Sequence, residues 1–306
     1  MIVTAMAVPR LFDRKLLLAR RRRAEREGAE TFLLQRTAEE LVERLSAVKR
    51  RFALALDLGT PGAALAAALE KSGQVERVIA CEPLAGLRAG RGLRVAADEE
   101  ALPFADETLD LVVSALSLQW VNDLPGTFAQ IRRALKPDGF FLAALIGGET
   151  LAELREALAA AESEIEGGAS PRVSPFVEVR TLGALLQRAD FALPVTDVER
   201  TIVRYASLRP LLRDLRRMGA ANALAERSRK PLKRAVLAHA EEIYARRFAD
   251  PDGRLRATID ILWLSAWAPH ESQQKPLRPG SAKMRLADAL GTHERPAGEK
   301  AGRKPR

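Results

Sequence analysis

The sequence predicts an α/β fold whose central sheet is mostly parallel. Short apolar runs, each about as long as a buried strand, alternate with stretches of helical periodicity. Several of these runs end in an acidic residue or a glycine, which is typical of strands whose carboxyl ends form a ligand site. Hydrophobic residues make up 47% of the 306 positions and charged residues 29%, so the chain can bury a large core.

Seven stretches have the pattern of β-strands. Five apolar runs and two alternating stretches predict strands at residues 52–59, 75–82, 93–97, 110–117, 140–146, 195–205 and 257–267. Before the fifth of them, Lys136-Pro137-Asp138-Gly139 predicts a tight turn. Proline sets φ at the first central position of such a turn, and glycine accepts a positive φ.

Helical periodicity fills most of the chain between the strands. Helices are predicted at residues 11–26, 31–45, 62–71, 150–164, 179–189, 208–224 and 231–247, with a last turn at 288–290. Thr150 and Glu153 have the spacing of a capping box, so we expect Thr150 to cap a helix that Gly167 ends.

Changes of pattern along the chain predict five segments. They are an N-terminal helical clasp (1–50), a core (51–206), a helical lid insertion (207–256), the final strand with a C-terminal segment of the core (257–290) and a disordered tail (291–306). We expect the lid to help build a substrate pocket over the core.

Charge and cysteine content narrow the expected partners and compartment. The net charge is +9, but acidic residues are interleaved and no aromatic-plus-basic motif is present, so we expect no nucleic-acid partner. Four arginines at 20–23 have acidic neighbours, which favours a solvated helix face over a transit peptide. The single cysteine, Cys81, allows no internal disulfide, and no run approaches the ~20 apolar residues of a membrane span. A cytoplasmic location is therefore expected.

Polar residues stand where the first three predicted strands end. Asp57, Gly59 and Gly62 follow the first strand, Glu82 ends the second, and Asp98 follows the third. A dinucleotide site needs G-x-G-x-x-G, and only two glycines of that pattern are present. An S-adenosylmethionine site needs close backbone approach at the first turn, then one acid for the ribose hydroxyls and another for the adenine amine. Glu82 and Asp98 stand at the positions of those two acids.

Few other residues are candidates for chemistry. Ser114, at the end of the fourth strand, is a candidate for the cofactor site. Trp120 follows that strand and is a candidate to line the acceptor pocket, with a role in the core left open. His270 is a candidate for proton transfer, with a structural hydrogen bond as the alternative. The three histidines lack the spacing of metal ligands, so no metal is expected.

Taken together, these motifs resemble the class I S-adenosylmethionine-dependent methyltransferases of the type 11 group. The matching segments are Asp57-Leu-Gly59, Glu82, Ala97-Asp98 with Leu102-Pro103-Phe104, 109–113 and 135–139. Narrower motifs at 11–14, 117–125, 147–155, 170–176, 270–273 and 280–281 are similar to bacterial relatives of the mitochondrial complex I assembly factor 5. This resemblance covers residues 11 to about 290. The malonyl-carrier-protein methyltransferases of biotin synthesis are a more distant similarity.

The resemblance implies a seven-stranded, mostly parallel Rossmann-like sheet with N-terminal helices and a lid, and S-adenosylmethionine as the cofactor. It also implies a protein partner, a peripheral-arm subunit of complex I, and a role in assembling that complex by methyl transfer or arginine hydroxylation. Peripheral contact with a membrane-bound complex stays open. The basic stretches at 209–217 and 227–234 face either an acidic partner or solvent.

Two alternatives remain open at the level of sequence. In the family's glycine loop, Asp-x-Gly-x-Gly-x-Gly, Pro61 replaces the second glycine and Ala63 the third. Because proline has no N–H and a fixed φ, the chain is alternatively a non-catalytic assembly factor with a degraded cofactor site. The other alternative is a small-molecule or carrier-protein carboxyl methyltransferase of the biotin-pathway type.

Overall fold

The computed structural model of the chain describes residues 10–83, 92–274, 281 and 284–293. The chain forms two compact units, Met1–His270 and Glu271–Arg306. The first unit contains the whole sheet, and the described part of the second contains one short helix. The predicted disordered tail lies outside the described residues from position 294 onward.

The sheet has seven strands and confirms the predicted fold class. The strands are β1 (Phe52–Leu58), β2 (Val75–Cys81), β3 (Leu93–Val95), β4 (Leu109–Ala115), β5 (Leu135–Gly147), β6 (Ala192–Tyr205) and β7 (Leu255–Trp267). Their order is β3-β2-β1-β4-β5-β7-β6. The first five strands are parallel, and β7 runs antiparallel to both β5 and β6. The order reverses between β1 and β4, which is where ligands bind in such sheets.

Nine helices occur within the described residues. They are α1 (Arg14–Arg26), α2 (Phe32–Ser46), α3 (Ala64–Lys71), α4 (Leu124–Ala134), α5 (Ala152–Glu166), α6 (Val179–Arg188), α7 (Leu208–Arg217), α8 (Arg234–Phe248) and α9 (Leu286–Leu290). Asp123 caps the N-terminus of α4, because its side chain accepts a hydrogen bond from the Gly126 N–H. No helix in the described part of the chain is long and apolar enough to cross a membrane.

Two local predictions differ from the structure, one because of strand pairing and the other because of a glycine. The predicted turn at 136–139 lies inside β5 as a bulge: Leu135 pairs with Leu109 and Phe140 with Leu111, and Asp138 has a positive φ of 60°. The helix predicted to run to residue 224 ends at Arg217, because Gly219 adopts a φ of +71° and terminates it.

The predicted capping box at the start of α5 is wrong. Thr150 does not cap the helix; its hydroxyl donates to the Gly147 carbonyl at 2.7 Å and accepts the Asp260 N–H at 2.9 Å. Glu153 instead accepts hydrogen bonds from Thr258 on β7. Tertiary partners on β7 therefore take both side chains, whereas the C-terminal end of α5 at Gly167, with φ +71°, is as predicted.

Both faces of the sheet are covered by helices, which gives two separate layers of core. Helices α2, α3, α5, α7 and α8 pack on one face around residues such as Leu41, Leu154 and Tyr244. Helices α4 and α6 pack on the other, around Phe128 and Leu186. These side chains are almost wholly removed from water, which is the main favourable contribution to the stability of such a fold.

A buried carboxylate fixes the connection between β5 and α5. Asp260, on β7, is 2% exposed, accepts two hydrogen bonds from Arg200 at 2.7 and 2.8 Å, and accepts the Glu149 N–H at 2.9 Å. The hydrogen bonds from Arg200 outweigh burial and lower the pKa of Asp260. Gly148, with φ +55°, passes so close that a Cβ there would lie 2.5 Å from a carboxylate oxygen of Asp260.

We therefore expect Gly148→Ala to lower the free energy of unfolding by about 1–3 kcal/mol, since it adds a left-handed non-glycine residue and a clash. Gly168→Ala is the matched control, because a Cβ at Gly168 meets no atom within 4 Å. The measurement is urea unfolding of both variants and the wild type. Equal loss of stability in the two variants would contradict the role assigned to Gly148.

Candidate functional site

The loop after β1 forms the floor of the candidate site. It contains Asp57, which is 2% exposed, and the two glycines Gly59 and Gly62, whose φ values are +72° and +88°. Burial raises the pKa of Asp57 to about 7, and the nearby Thr60 hydroxyl and Ala66 N–H offset that rise only in part. Within the described residues, neither carboxylate oxygen of Asp57 has a hydrogen-bond partner of standard geometry. The carboxylate is thus a buried acceptor that a bound ligand can satisfy.

Glu82 places a second carboxylate at the same edge of the sheet. It directly follows β2, is 4% exposed, and its N–H donates to the Val95 carbonyl at 3.2 Å. The Gly59 N–H donates to the Cys81 carbonyl at 2.6 Å, so the chain around Glu82 lies beside the β1 loop. Burial and the charge of Asp57 raise the pKa of Glu82 to about 7, while Arg21 and Arg94 lower it in part. Two carboxylates therefore influence each other's ionisation here.

A third acid, Glu99, is fully buried and was not singled out from the sequence. It accepts a hydrogen bond from the Ser117 hydroxyl at 2.6 Å and forms an ion pair with Arg14. A second guanidinium, Arg21, lies 4.0 Å from it. A Cβ on Gly59 would lie 2.5 Å from the Glu99 carboxylate, so the absence of a side chain at Gly59 is what lets the loop pack against this cluster.

Asp98 is placed at the outer edge of the same cluster. Its side chain is 40% exposed and accepts a hydrogen bond from Arg14 at 2.9 Å. The same oxygen accepts the Glu100 N–H at 2.9 Å, which holds the turn after β3. Part of the carboxylate is therefore accessible to a ligand.

Helix α1 supplies the cations that balance these acids, which corrects the prediction of a solvated arginine face. Only Arg22 and Arg23 of the arginine run are exposed; Arg21 is 8% exposed, and Arg20 donates to the Asn222 carbonyl. Residues three and four positions apart share a face of a helix, so a run of four arginines is divided between solvent and interior. Burial lowers the pKa of Arg14, but Glu99 and Asp98 together raise it above its usual value.

The remaining candidates from the sequence fall in three different places. The Ser114 hydroxyl is fully buried and donates to the Leu58 carbonyl at 2.7 Å, so it joins β4 to β1. Trp120, in a 3-10 turn at Leu118–Trp120, is 9% exposed and packs edge-to-face on Phe12 at 5.3 Å. His270 is exposed and follows β7, whose end pairs with the start of the buried part of β5. The structure thus places His270 at the opposite edge of the sheet from Asp57.

An apolar cavity of about 570 Å³ opens beside the acidic edge. Pro61 and Gly62 of the β1 loop line it, together with Trp120. Most of the other lining side chains are aliphatic and come from α2, α5, α7, β6 and β7. The geometry therefore joins a polar, acidic ligand site to a largely apolar cavity, as a two-substrate site requires.

No group of three potential metal ligands occurs within the described residues. Cys81 is buried at the end of β2, and burial with the neighbouring acids raises the pKa of its thiol to about 12. A thiol with such a pKa stays protonated at neutral pH and is a poor nucleophile.

The raised pKa values of Asp57 and Glu82 predict a pH-dependent loss of stability. The ordinary pKa values are 3.8 and 4.5 and the folded values about 7, so the folded state binds the protons more tightly. The two groups therefore lower the free energy of unfolding progressively as pH rises from about 4 to about 7. Above pH 7 this loss is complete. We expect Asp57→Asn to raise the free energy of unfolding by about 2–4 kcal/mol relative to the wild type at pH 8. This difference should disappear near pH 4.

The difference between Asp57→Asn and the wild type is measured by urea unfolding across this range of pH. Using the difference cancels the contributions of the titrating groups that do not interact with Asp57. A constant difference between pH 4 and pH 8 would show that burial of Asp57 does not raise its pKa.

The ion pair between Arg14 and Glu99 gives a second prediction. Arg14→Met leaves a fully buried carboxylate without its main partner and is expected to cost about 3–5 kcal/mol of stability. The double variant Arg14→Met/Glu99→Gln should recover part of that loss, because the unpaired charge is gone. A double-mutant cycle with strictly additive losses would rule out the coupling.

The comparisons with known proteins agree with this geometry. A family model described as "Methyltransferase domain" matches residues 56–143. The "Arginine-hydroxylase NDUFAF5, mitochondrial" of Danio rerio is 40% identical over 263 residues, 84% of this chain and 81% of that protein. The protein of the same name from Homo sapiens is 38% identical over 286 residues, 91% of this chain and 83% of that protein.

A second group of relatives carries another name. The "Malonyl-[acyl-carrier protein] O-methyltransferase" of Halorhodospira halophila is 34% identical over 270 residues, 85% of this chain and 90% of that protein. Among solved structures, a Bacillus halodurans protein described as a methyltransferase aligns at a TM-score of 0.52 with 15% identity, over 76% of this chain and 99% of its own. That likeness shows the fold.

The matches to the NDUFAF5 proteins span most of both chains, and the seven-stranded sheet is that of the methyltransferase fold. The chain belongs to the family of the NDUFAF5 arginine hydroxylases, within the class I S-adenosylmethionine-dependent methyltransferases.

Proposed function

We propose that this chain is an S-adenosylmethionine-dependent enzyme that acts on a protein partner during assembly of respiratory complex I. The acceptor would be a peripheral-arm subunit, modified by methyl transfer or by hydroxylation of an arginine. The observation that carries this proposal is identity of 38–40% to proteins named arginine hydroxylase NDUFAF5 over more than four fifths of their length. The acidic edge beside a largely apolar cavity supports it.

The residues at the acidic edge fit the cofactor. Glu82, buried at the end of β2, would accept hydrogen bonds from the ribose hydroxyls. The partly exposed carboxylate of Asp98 would accept one from the adenine amine. Gly59 and Gly62 bring the β1 loop close to the ligand, and the orphaned carboxylate of Asp57 would orient the amino-acid part. S-adenosylmethionine supplies an electrophilic methyl group carried on a sulfonium.

Ser114 stays a candidate for the cofactor site. Because its hydroxyl donates to the Leu58 carbonyl, we also assign it the role of fixing the β1 loop against β4. Pro61 removes one N–H from the loop, but the two left-handed glycines that shape the loop are retained.

Catalysis by these residues would consist mainly of positioning. Asp57 and Glu82 would hold the positively charged cofactor at the edge of the cavity, and the apolar walls around Trp120 would limit the access of water to the acceptor. Holding donor and acceptor in line in a dry pocket supplies much of the acceleration of a transfer reaction. Hydroxylation would need an oxidant and a reductant as further co-substrates, which methyl transfer would not.

A second candidate function is carboxyl methylation of a small molecule or of a group on a carrier protein. The Halorhodospira halophila relative supports it, and so does a cavity of about 570 Å³ with mostly aliphatic walls. A third reading is an assembly factor without activity, in which Pro61 has weakened cofactor binding.

Calorimetric titration with S-adenosylmethionine and S-adenosylhomocysteine tests the cofactor site first. We expect both to bind the wild type, and Glu82→Ala to weaken binding at least tenfold because it removes the proposed ribose partner, which corresponds to about 1.4 kcal/mol. Glu76→Ala is the matched control, since Glu76 is an exposed acid at the other end of the same strand. Absence of binding to the wild type would leave only the inactive assembly factor.

Incubation with candidate acceptors then distinguishes the two hypotheses in which the chain is an active enzyme. The purified peripheral-arm subunit and a malonyl-loaded acyl carrier protein are each supplied with the enzyme and S-adenosylmethionine, and the products are weighed by mass spectrometry. A methylene or an oxygen added to the subunit supports the first proposal, whereas a methylene added to the malonyl group supports the second. Modification of the carrier protein alone would overturn a protein-subunit role.

A further inference from the structure

The apolar cavity is larger than the proposed reaction explains. Its walls include Leu154, Leu212 and Leu215, and at about 570 Å³ it is within the range of small-molecule sites. Lining atoms that face an unfilled apolar space lack packing partners on one side. A ligand with a sizeable apolar part would recover those contacts.

A second pocket, of about 360 Å³, is strongly basic. We call it the basic pocket; its cationic lining residues are Arg20, Arg172, Arg227, Arg229 and Lys230. Among the described residues that line it, none is a carboxylate. Cations held near one another repel, and an anion between them lowers that repulsion.

The charges of the basic pocket are only partly balanced by its surroundings. Arg172 pairs with the buried Glu162, and Arg227 lies 3.5 Å from Asp13. Burial and the charge of Arg227 lower the pKa of Arg20, which is the effect of two cations held close together. Charge remains for a ligand to neutralise.

The two cavities adjoin each other. Arg172, Asn222 and Leu232 line both of them. Asn222 is held in place from two sides: its side-chain amide donates to the Pro171 carbonyl at 2.8 Å, and its own carbonyl accepts from Arg20. The junction is therefore built by bonded elements, and an apolar space and an anion site meet at it.

We propose that the chain binds a single-chain amphiphile, with its anionic head group in the basic pocket and its hydrocarbon tail in the apolar cavity. A free anion would leave the cavity unfilled, and a neutral apolar molecule would leave the cations unpaired. A ligand that carries both parts in one molecule satisfies both surfaces. The head-group site is separate from the acidic edge, whereas the tail site is the cavity that the proposed function assigns to the acceptor. Binding of an amphiphile goes beyond that function.

Calorimetry with dodecyl phosphate below its critical micelle concentration tests the proposal, with dodecanol and inorganic phosphate as the two half-ligands. We expect one dodecyl phosphate to bind per chain, at least tenfold more tightly than either half-ligand. Equal affinity for dodecanol would remove the head-group site, and equal affinity for phosphate would remove the tail site. Multiple binding with loss of the folded state would mark detergent action and overturn the proposal.

Two sets of variants locate the ligand. Arg229→Ala/Lys230→Ala changes exposed side chains only, and we expect it to weaken dodecyl phosphate about tenfold while dodecanol is unaffected. Arg246→Ala/Arg247→Ala, which removes two exposed cations of α8 away from the pocket, is the matched control. Equal weakening in both double variants would show a general charge effect and overturn the placement.

Filling the cavity tests the tail. Leu212→Trp should abolish tight binding of dodecyl phosphate, and Leu232→Trp, on the loop before α8, should do so at the junction if the first variant does not fold. Thermal unfolding confirms that each variant is folded. Undiminished binding in a folded variant would place the ligand elsewhere. Neither S-adenosylmethionine nor a protein acceptor is present in these titrations, so their outcome is independent of the proposed function.

Discussion

The fully buried carboxylate of Glu99 is the contact on which the candidate site depends. It joins three parts of the chain that are distant in sequence: Arg14 on α1, Ser117 after β4 and the loop at Gly59. A buried charge is stable only with close partners, so its presence requires α1 to dock on the edge of the sheet. Docking α1 in turn brings Arg21 to the acidic edge and closes one wall of the cavity.

The buried acids of the acidic edge lower the stability of the fold when they are ionised. Asp57 and Glu82 are both nearly buried and close enough for each to raise the other's difficulty in ionising. Residues that only had to stabilise the fold would be neutral at these positions. Perturbed carboxylates at the carboxyl edge of a parallel sheet are typical of ligand sites, where the bound molecule supplies the missing partners.

The cavity is formed by segments that precede the core strands along the chain and by segments that follow them. Helix α2 comes from the N-terminal region, α7 from the region after β6, and β6 and β7 add side chains such as Val203 and Ile259. The long antiparallel pairing of β6 with β7 holds these parts in register. The acceptor space is thus specified by the elements added to the core sheet, and this is where relatives that share the sheet can differ in what they bind.

Sequence by itself determined the sheet and the positions of Asp57, Glu82 and Asp98 at its carboxyl edge. These features follow from local patterns, because strand burial shows as apolar runs and parallel strands bring their ends to one edge. Only the tertiary structure decided the partners of Thr150, the burial of Arg21 and the role of Glu99. Each of these depends on contacts between residues far apart in the chain. Whether a side chain contacts solvent, caps a helix or forms an ion pair is determined by the distant group that packs against it.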